Sequence, residues 1–290
     1  MTFFTDDPDV SPDYKAIRDR EHCKPYRDFL EYLWARYDPS GDGNECFLGD
    51  AKKNFRQRFW EMYLFCAMEE RGIAVQKITD KCGGPDFSFE AAGKKYWVEA
   101  IVPEAGNGND KVPFPVLGTA NYVPETLIKL RYTNAIDTKF KYWYACMKKN
   151  IVEDGDGYII AINGNAIPDA DCDCGYQYVI QSLYPVGPIT HKIDANSLEI
   201  SEPYLQWEDN VKKQNGVFIT TAPFIDKNYS AISAVIHSFA GPTRYASPLG
   251  HDFLLLRNPC ALHPLPISSL SWCTQYSFQE GELTRTEPSG

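Results

Sequence analysis

Apolar residues recur along this chain with two spacings, and each spacing predicts a different kind of element. Spacings of three and four residues are typical of helices with one buried face, whereas short, dense apolar runs bounded by turn residues are typical of strands. The helices are predicted at 51–70 and 125–150, and the strands at 73–78, 86–89, 95–102 and 158–163. The order helix, three strands, helix, strand predicts an α/β protein.

The remaining segments define the predicted domain organisation. Residues 1–50 include a helical pattern at 26–37 and are interpreted as an N-terminal helical extension. Residues 51–268 form the predicted main domain, to which extra C-terminal strands at 176–183, 231–237 and 252–256 are added. Residues 269–290 are polar and are predicted to be a tail.

Composition narrows the class of protein. The chain has 290 residues, of which 43% are hydrophobic and 23% charged, which is typical of a globular protein. Its net charge of −10 excludes a global basic field that would attract nucleic acid at long range. The nine cysteines lack framework spacing, and there is neither a secretory signal nor an apolar stretch of membrane-spanning length. We therefore expect a cytoplasmic protein with reduced thiols and no membrane partner.

Two carboxylates on neighbouring predicted strands are the main chemical signal. Asp86 follows a Gly-Pro turn, and Glu99 lies 13 residues further on, inside an otherwise apolar strand. Adjacent strands are about 4.8 Å apart, so a tight hairpin can direct both side chains at one ion. Such oxygen ligands suit Mg²⁺. Asp86 as a simple turn residue and Glu99 on the solvated face of an edge strand are the alternative interpretations.

Glu61 is the natural third carboxylate. It lies in the first predicted long helix among aromatic and aliphatic neighbours, where a solvated glutamate is not expected. Arg58, one turn earlier, is an alternative partner that would give Glu61 a purely structural role.

These residues together resemble a known superfamily. Glu61, the sequence Gly84-Pro-Asp86 and the sequence Trp97-Val-Glu99, in this order on helix, strand and strand, resemble the PD-(D/E)xK, or restriction-endonuclease-like, nucleases. The resemblance covers roughly residues 51–183 and implies an α-β-β-β-α-β core with a mixed sheet. It also implies that Asp86 and Glu99 bind Mg²⁺ or Mn²⁺, assisted by Glu61 and the Ala100 carbonyl.

One position departs from the pattern of that superfamily. Its lysine, two residues after the strand glutamate, is replaced here by Ile101. An apolar side chain cannot orient the attacking water or stabilise charge on a phosphate. Lys139 and Arg131 on the second predicted long helix are the candidates to supply this cation, and they lie about 80° apart around the helix axis.

The resemblance implies a metal-dependent nuclease that hydrolyses phosphodiester bonds of nucleic acid, DNA in preference to RNA. Ile101 and the negative net charge favour the alternative of a catalytically inactive nuclease-fold module that binds nucleic acid or a protein partner. An unrelated α/β enzyme whose acids serve a small substrate is the third interpretation. The oligomeric state stays open, a homodimer included.

Overall fold

The computed structural model describes residues 2–38, 45–78, 83–173 and 175–289. The helices are α1 (Pro12–Asp19), α2 (Lys24–Tyr37), α3 (Glu45–Ala51), α4 (Phe55–Glu70), α5 (Glu125–Lys148) and α6 (Tyr178–Gln181). The strands are β1 (Gln76–Lys77), β2 (Phe87–Ala91), β3 (Lys94–Ile101), β4 (Gly157–Asn163), β5 (Val186–Thr190), β6 (Tyr204–Trp207), β7 (Asn210–Lys212), β8 (Phe218–Thr220), β9 (Ala234–Ser238), β10 (Leu254–Arg257), β11 (Thr274–Gln279) and β12 (Glu282–Thr286).

Eight of these strands form one mixed sheet in the order β1-β2-β3-β4-β9-β10-β11-β12. The hairpin β2–β3 is antiparallel, β3, β4 and β9 run parallel to one another, and β10 is antiparallel to β9. Helix α5 connects β3 to β4, as a parallel pair requires. The predicted α/β class and the element order α4-β1-β2-β3-α5-β4 are therefore present.

Helices cover both faces of this sheet. Helix α4 is buried along most of its length because α2 and α3 pack on one side of it and the sheet on the other. The Trp60 indole of α4 donates a hydrogen bond of 2.9 Å to the Ala161 carbonyl of β4. On the opposite face, Trp143 of α5 stacks on Tyr158 of β4 with ring centroids 4.5 Å apart. The result is a three-layer arrangement with two apolar cores.

The two ends of the chain belong to this arrangement. Helices α1 to α3 are the predicted N-terminal helical region, and their buried side chains join the core around α4. The predicted polar tail at 269–290 is wrong, because β11 and β12 extend the sheet there and bury Cys273 and Phe278. Strands near a sheet edge keep polar residues on the solvated side, which gives them the composition of a tail.

One predicted strand is a helix. Residues 176–183 contain α6, whose residues are all buried. A short apolar run fits a buried strand and a buried helical turn equally well, and its tertiary surroundings decide between them. Among the described residues, no helix combines the length and the hydrophobicity that a membrane span needs.

Candidate functional site

The β2–β3 hairpin brings Asp86 and Glu99 to the same place. Phe87 pairs with Val98 in this antiparallel ladder, so the register continued by one residue places Asp86 opposite Glu99. Residues opposite each other share one face of the sheet, with Cβ atoms about 5 Å apart. Asp86 Oδ2 accepts a hydrogen bond of 2.7 Å from the Ala100 backbone amide. Asp86 is therefore hydrogen-bonded to the neighbouring strand.

Glu99 is buried and ion-paired. Strand β3 lies between β2 and β4, and only 6% of Glu99 is exposed, so the alternative of a solvated edge strand is wrong. Lys139 Nζ of α5 lies 2.5 Å from Glu99 Oε1. The other oxygen, Oε2, is buried and accepts no hydrogen bond from any described residue. A buried carboxylate oxygen without a donor is costly, so this oxygen is a candidate ligand for a cation.

Glu61 approaches from the other layer of the fold. Its carboxylate accepts hydrogen bonds from Arg58 Nη1 at 2.6 Å and from Gln57 Nε2 at 3.0 Å. The pair with Arg58, which the alternative interpretation of Glu61 requires, is thus present. Glu61 and Asp86 line a common cavity of about 310 Å³, together with Arg58 and Lys77. Glu61 is thus next to the carboxylate pair, although cationic and amide groups of the protein already hold it.

The three carboxyl groups affect one another electrostatically. Burial, followed by the negative charge of Glu99, raises the pKa of Asp86 to about 7. Burial, followed by the charge of Asp86, raises the pKa of Glu61 to about 7, although Arg58 opposes this shift. Burial also raises the pKa of Glu99, against the effect of Lys139. A cluster of desolvated like charges is typical of functional sites, because a bound cation or a shared proton relieves it.

Gln57 contributes to the site and was not anticipated from the sequence. Its amide nitrogen donates to the Ala100 carbonyl at 3.2 Å as well as to Glu61, and its oxygen accepts from the Val102 amide at 3.0 Å. One side chain of α4 therefore positions both Glu61 and the end of β3. The Ala100 carbonyl, a predicted metal ligand, thus already accepts one hydrogen bond, which leaves it a second lone pair.

Tyr142 is a second residue that sequence reasoning missed. Its hydroxyl donates to the Gly84 carbonyl at 2.7 Å and ties α5 to the turn before Asp86. Gly84 has a φ of +108°, and a Cβ there would lie 2.7 Å from Ile151 Cγ2, so the turn requires glycine. The same helix thus carries both Lys139 and the contact that orients the Asp86 turn.

The structure separates the two predicted basic residues. Lys139 reaches Glu99, whereas the Arg131 guanidinium lies over the Gly106 backbone and lines a different cavity, formed with residues that include Lys213 and Phe218. Ile101 is half-buried against the core on the α5 side of the sheet. Lys139 therefore places a cation beside Glu99, two residues before Ile101, which occupies the position of the superfamily's lysine.

Carboxylate oxygens are the groups of this site that could hold a divalent cation. Across residues 2–38, 45–78, 83–173 and 175–289, no three His, Cys, Asp or Glu side chains are gathered closely enough to hold a metal ion together. Asp86 and Glu99 lie opposite each other in the hairpin, and one buried oxygen of Glu99 has no donor within the described ranges. Mg²⁺ is commonly bound by one or two carboxylates, with water and substrate oxygens in its other positions, so this pair fits such an ion.

Known families, proteins and structures were compared with this chain. The chain gives no significant match to any family model, to any curated protein or to any solved structure.

Proposed function

We propose that this chain is a Mg²⁺- or Mn²⁺-dependent nuclease with a restriction-endonuclease-like core, acting on DNA in preference to RNA. The observation that carries the proposal is the buried Glu99, which lies opposite Asp86 in the hairpin register. Its Oε1 pairs with Lys139, and its Oε2 has no donor among the described residues. The element order α4-β1-β2-β3-α5-β4 supports the same conclusion. A cytoplasmic location belongs to this proposal.

Each residue then has a role that follows from its position. Asp86 and Glu99 would hold the ion, with the Ala100 carbonyl as a further oxygen. A bound divalent cation supplies Lewis-acid stabilisation of charge on the scissile phosphate. Lys139 fixes the orientation of Glu99 and places a positive charge where charge develops on the phosphate. Glu61, held by Arg58 and Gln57, adds negative charge that strengthens cation binding.

A specific observation favours the alternative of an inactive nuclease-fold module. Glu61 and Glu99 are each neutralised by a cation of the protein itself, through the pairs Arg58–Glu61 and Lys139–Glu99. A chain that has lost metal binding would keep such pairs, because an unpaired buried carboxylate is strongly destabilising. This module would bind nucleic acid or a protein partner without cleaving it.

Cleavage and metal binding distinguish the two functions. Supercoiled plasmid and labelled single-stranded DNA and RNA are incubated with Mg²⁺ or Mn²⁺, using the wild type, Glu99→Gln, Lys139→Met and the control Lys141→Met. Lys141 lies two residues further along α5, where its exposed side chain pairs with Asp137. We expect cleavage by the wild type and the control, and a loss of about 100-fold or more in the other two variants.

Calorimetry with Mn²⁺ completes the test. We expect saturable binding to the wild type that is lost in Glu99→Gln and retained in Lys141→Met. Binding of nucleic acid without cleavage or Mn²⁺ binding would support the inactive module. Cleavage that persists in Glu99→Gln would refute the assignment of this site.

A further inference from the structure

A second cavity lies against α5, on the side of this helix that faces away from Asp86 and Glu99. It has a volume of about 300 Å³ and is enclosed by α5, the β7–β8 hairpin and the turns at 223–229. This volume lies at the lower end of the range of small-molecule sites. Neither Glu61, Asp86, Glu99 nor Lys139 contributes to its lining. The cavity is therefore distinct from the carboxylate site.

Two cations without partners line this cavity. Arg131 of α5 and Lys213, directly after β7, form no ion pair and no side-chain hydrogen bond with any described residue. Arg131 Nε is moreover buried, with no acceptor in the part of the chain that the structure describes. A buried guanidinium nitrogen without an acceptor is rare, because an unsatisfied charged donor costs more than an ordinary one. The lining thus includes two cationic residues that no described residue neutralises.

The acidic residue that lines the cavity is already ion-paired. This residue is Asp137, and its carboxylate lies 2.6 Å from Lys141 Nζ. Arg131 and Lys213 consequently leave the lining with a net positive charge. Asn134, exposed on the same helix, adds an amide group that can donate to an oxygen. Guanidinium, ammonium and amide donors around one space are the groups that bind phosphate.

An aromatic side chain defines the rim. Phe218 of β8 is 65% exposed and lines the cavity, and Lys212 Nζ lies 5.6 Å from the centre of its ring. Tyr229 lines the opposite turn, where its ring packs on Phe140 at 4.7 Å. An exposed aromatic ring beside cations offers a stacking surface for a flat group attached to a phosphate.

We propose that this cavity binds a phosphate group, with Arg131 and Lys213 as its charged donors and Phe218 contacting the organic part of the ligand. The phosphate belongs to a nucleotide unit, either free or within a single strand of nucleic acid. The site does not depend on the nuclease proposal, because its residues bind phosphate whether or not the carboxylates bind metal.

The test is calorimetric titration in the presence of EDTA, which keeps divalent ions away from the carboxylates. The probes are inorganic pyrophosphate, thymidine monophosphate and a single-stranded thymidine oligonucleotide. The variants are Arg131→Gln, Lys213→Gln and Lys213→Glu, with Lys148→Gln as a control for a lost lysine charge at an exposed position of α5. Lys213 is half-exposed, so its substitutions keep the test valid if Arg131→Gln fails to fold.

We expect at least one probe to bind the wild type and Lys148→Gln equally, and to bind Lys213→Gln about ten-fold more weakly, because one charge-assisted hydrogen bond is lost. Lys213→Glu should abolish binding. Saturation by thymidine monophosphate identifies a free nucleotide as the ligand, whereas binding of the oligonucleotide alone identifies a strand. Failure of all three probes, or equal weakening in Lys148→Gln, would overturn the proposal. Metal-dependent cleavage is assayed separately, so either proposal can fail alone.

Discussion

Asp86→Asn should make the stability of this protein less sensitive to alkaline pH. Asparagine removes the charge but keeps an oxygen that can accept the hydrogen bond from the Ala100 amide. The pKa of Asp86 is about 7 in the folded protein, against an ordinary value of 3.8. An acid whose pKa is raised by folding stabilises the folded state in its protonated form, and this contribution is lost as the pH rises towards 7.

The magnitude follows from the two pKa values. Each pH unit between them changes the free energy of unfolding by about 1.4 kcal/mol. From about pH 5.5 to about pH 8 the wild type should therefore lose about 2 kcal/mol through Asp86 alone. Solvent reaches this partly buried side chain, so about 1–2 kcal/mol is the expected loss. Asp86 also raises the pKa of Glu61, and the loss of that repulsion in the variant acts in the same direction.

Urea unfolding in EDTA at the two pH values measures this effect. The free energy of unfolding of Asp86→Asn, relative to that of the wild type, should be about 1–2 kcal/mol higher at about pH 8 than at about pH 5.5, so the variant is relatively more stable at the higher pH. Groups whose pKa does not depend on Asp86 cancel in this difference, whereas the change at Glu61 adds to it. Asp154→Asn, at an exposed position, is the matched control and should show no such change. A relative stability of Asp86→Asn that is the same at both pH values would refute the electrostatic account.

The same assay connects stability to metal binding. At about pH 8, Mn²⁺ at about one hundred times its dissociation constant should stabilise the wild type by about 2.7 kcal/mol. Asp86→Asn should gain nothing. Stabilisation should also shrink at about pH 5.5, since protons on Asp86 and Glu61 compete with the ion. Equal stabilisation of both proteins by Mn²⁺ would show that the ion binds elsewhere.

Two further substitutions test how the site is held in place. Gln57→Ala should lower the free energy of unfolding, measured in urea, by about 1–3 kcal/mol, because the Val102 backbone amide directly after β3 loses its acceptor. The substitution Gln214→Ala at an exposed position should change it little. Gly106→Ala and Gly118→Ala should each cost about 1 kcal/mol, since φ is +82° and +80° at these positions. Only Gly106→Ala should also weaken binding of the phosphate probes, because its Cβ would lie 2.0 Å from Arg131 Nη1 and displace that guanidinium.

The long helices and the central strands could be predicted from the sequence because their apolar patterns are long and regular. The predicted helix at 51–70 corresponds to α4, and the one at 125–150 corresponds to α5. In short segments the apolar pattern has too few positions to distinguish a helix from a strand. The run at 176–183 fits a strand and a helix equally, and β11 was mistaken for a tail because Thr, Gln and Ser alternate with its few apolar residues.

The part of the candidate site that strand pairing determines could be predicted from the sequence. Asp86 and Glu99 meet because a hairpin register joins them, and both are visible in the sequence. The choice between Arg131 and Lys139 was not predictable from helical rotation alone. Eight residues along a helix correspond to about 12 Å, so two residues on one broad face reach different strands or loops. Gln57 gave no signal, because a glutamine near a helix end is ordinarily solvated.

The carboxylate cluster of Glu61, Asp86 and Glu99 lowers the stability of the folded protein. Burial raises the pKa of Asp86 and of Glu61 to about 7, so near neutral pH both ionised groups reduce stability. Apolar residues of similar volume would stabilise this region better. The protein instead surrounds the cluster with Arg58, Lys139 and the Gln57 amide, which orient the oxygens without neutralising all of them. An arrangement that is costly alone and relieved by an added cation is what the proposed metal-dependent activity requires.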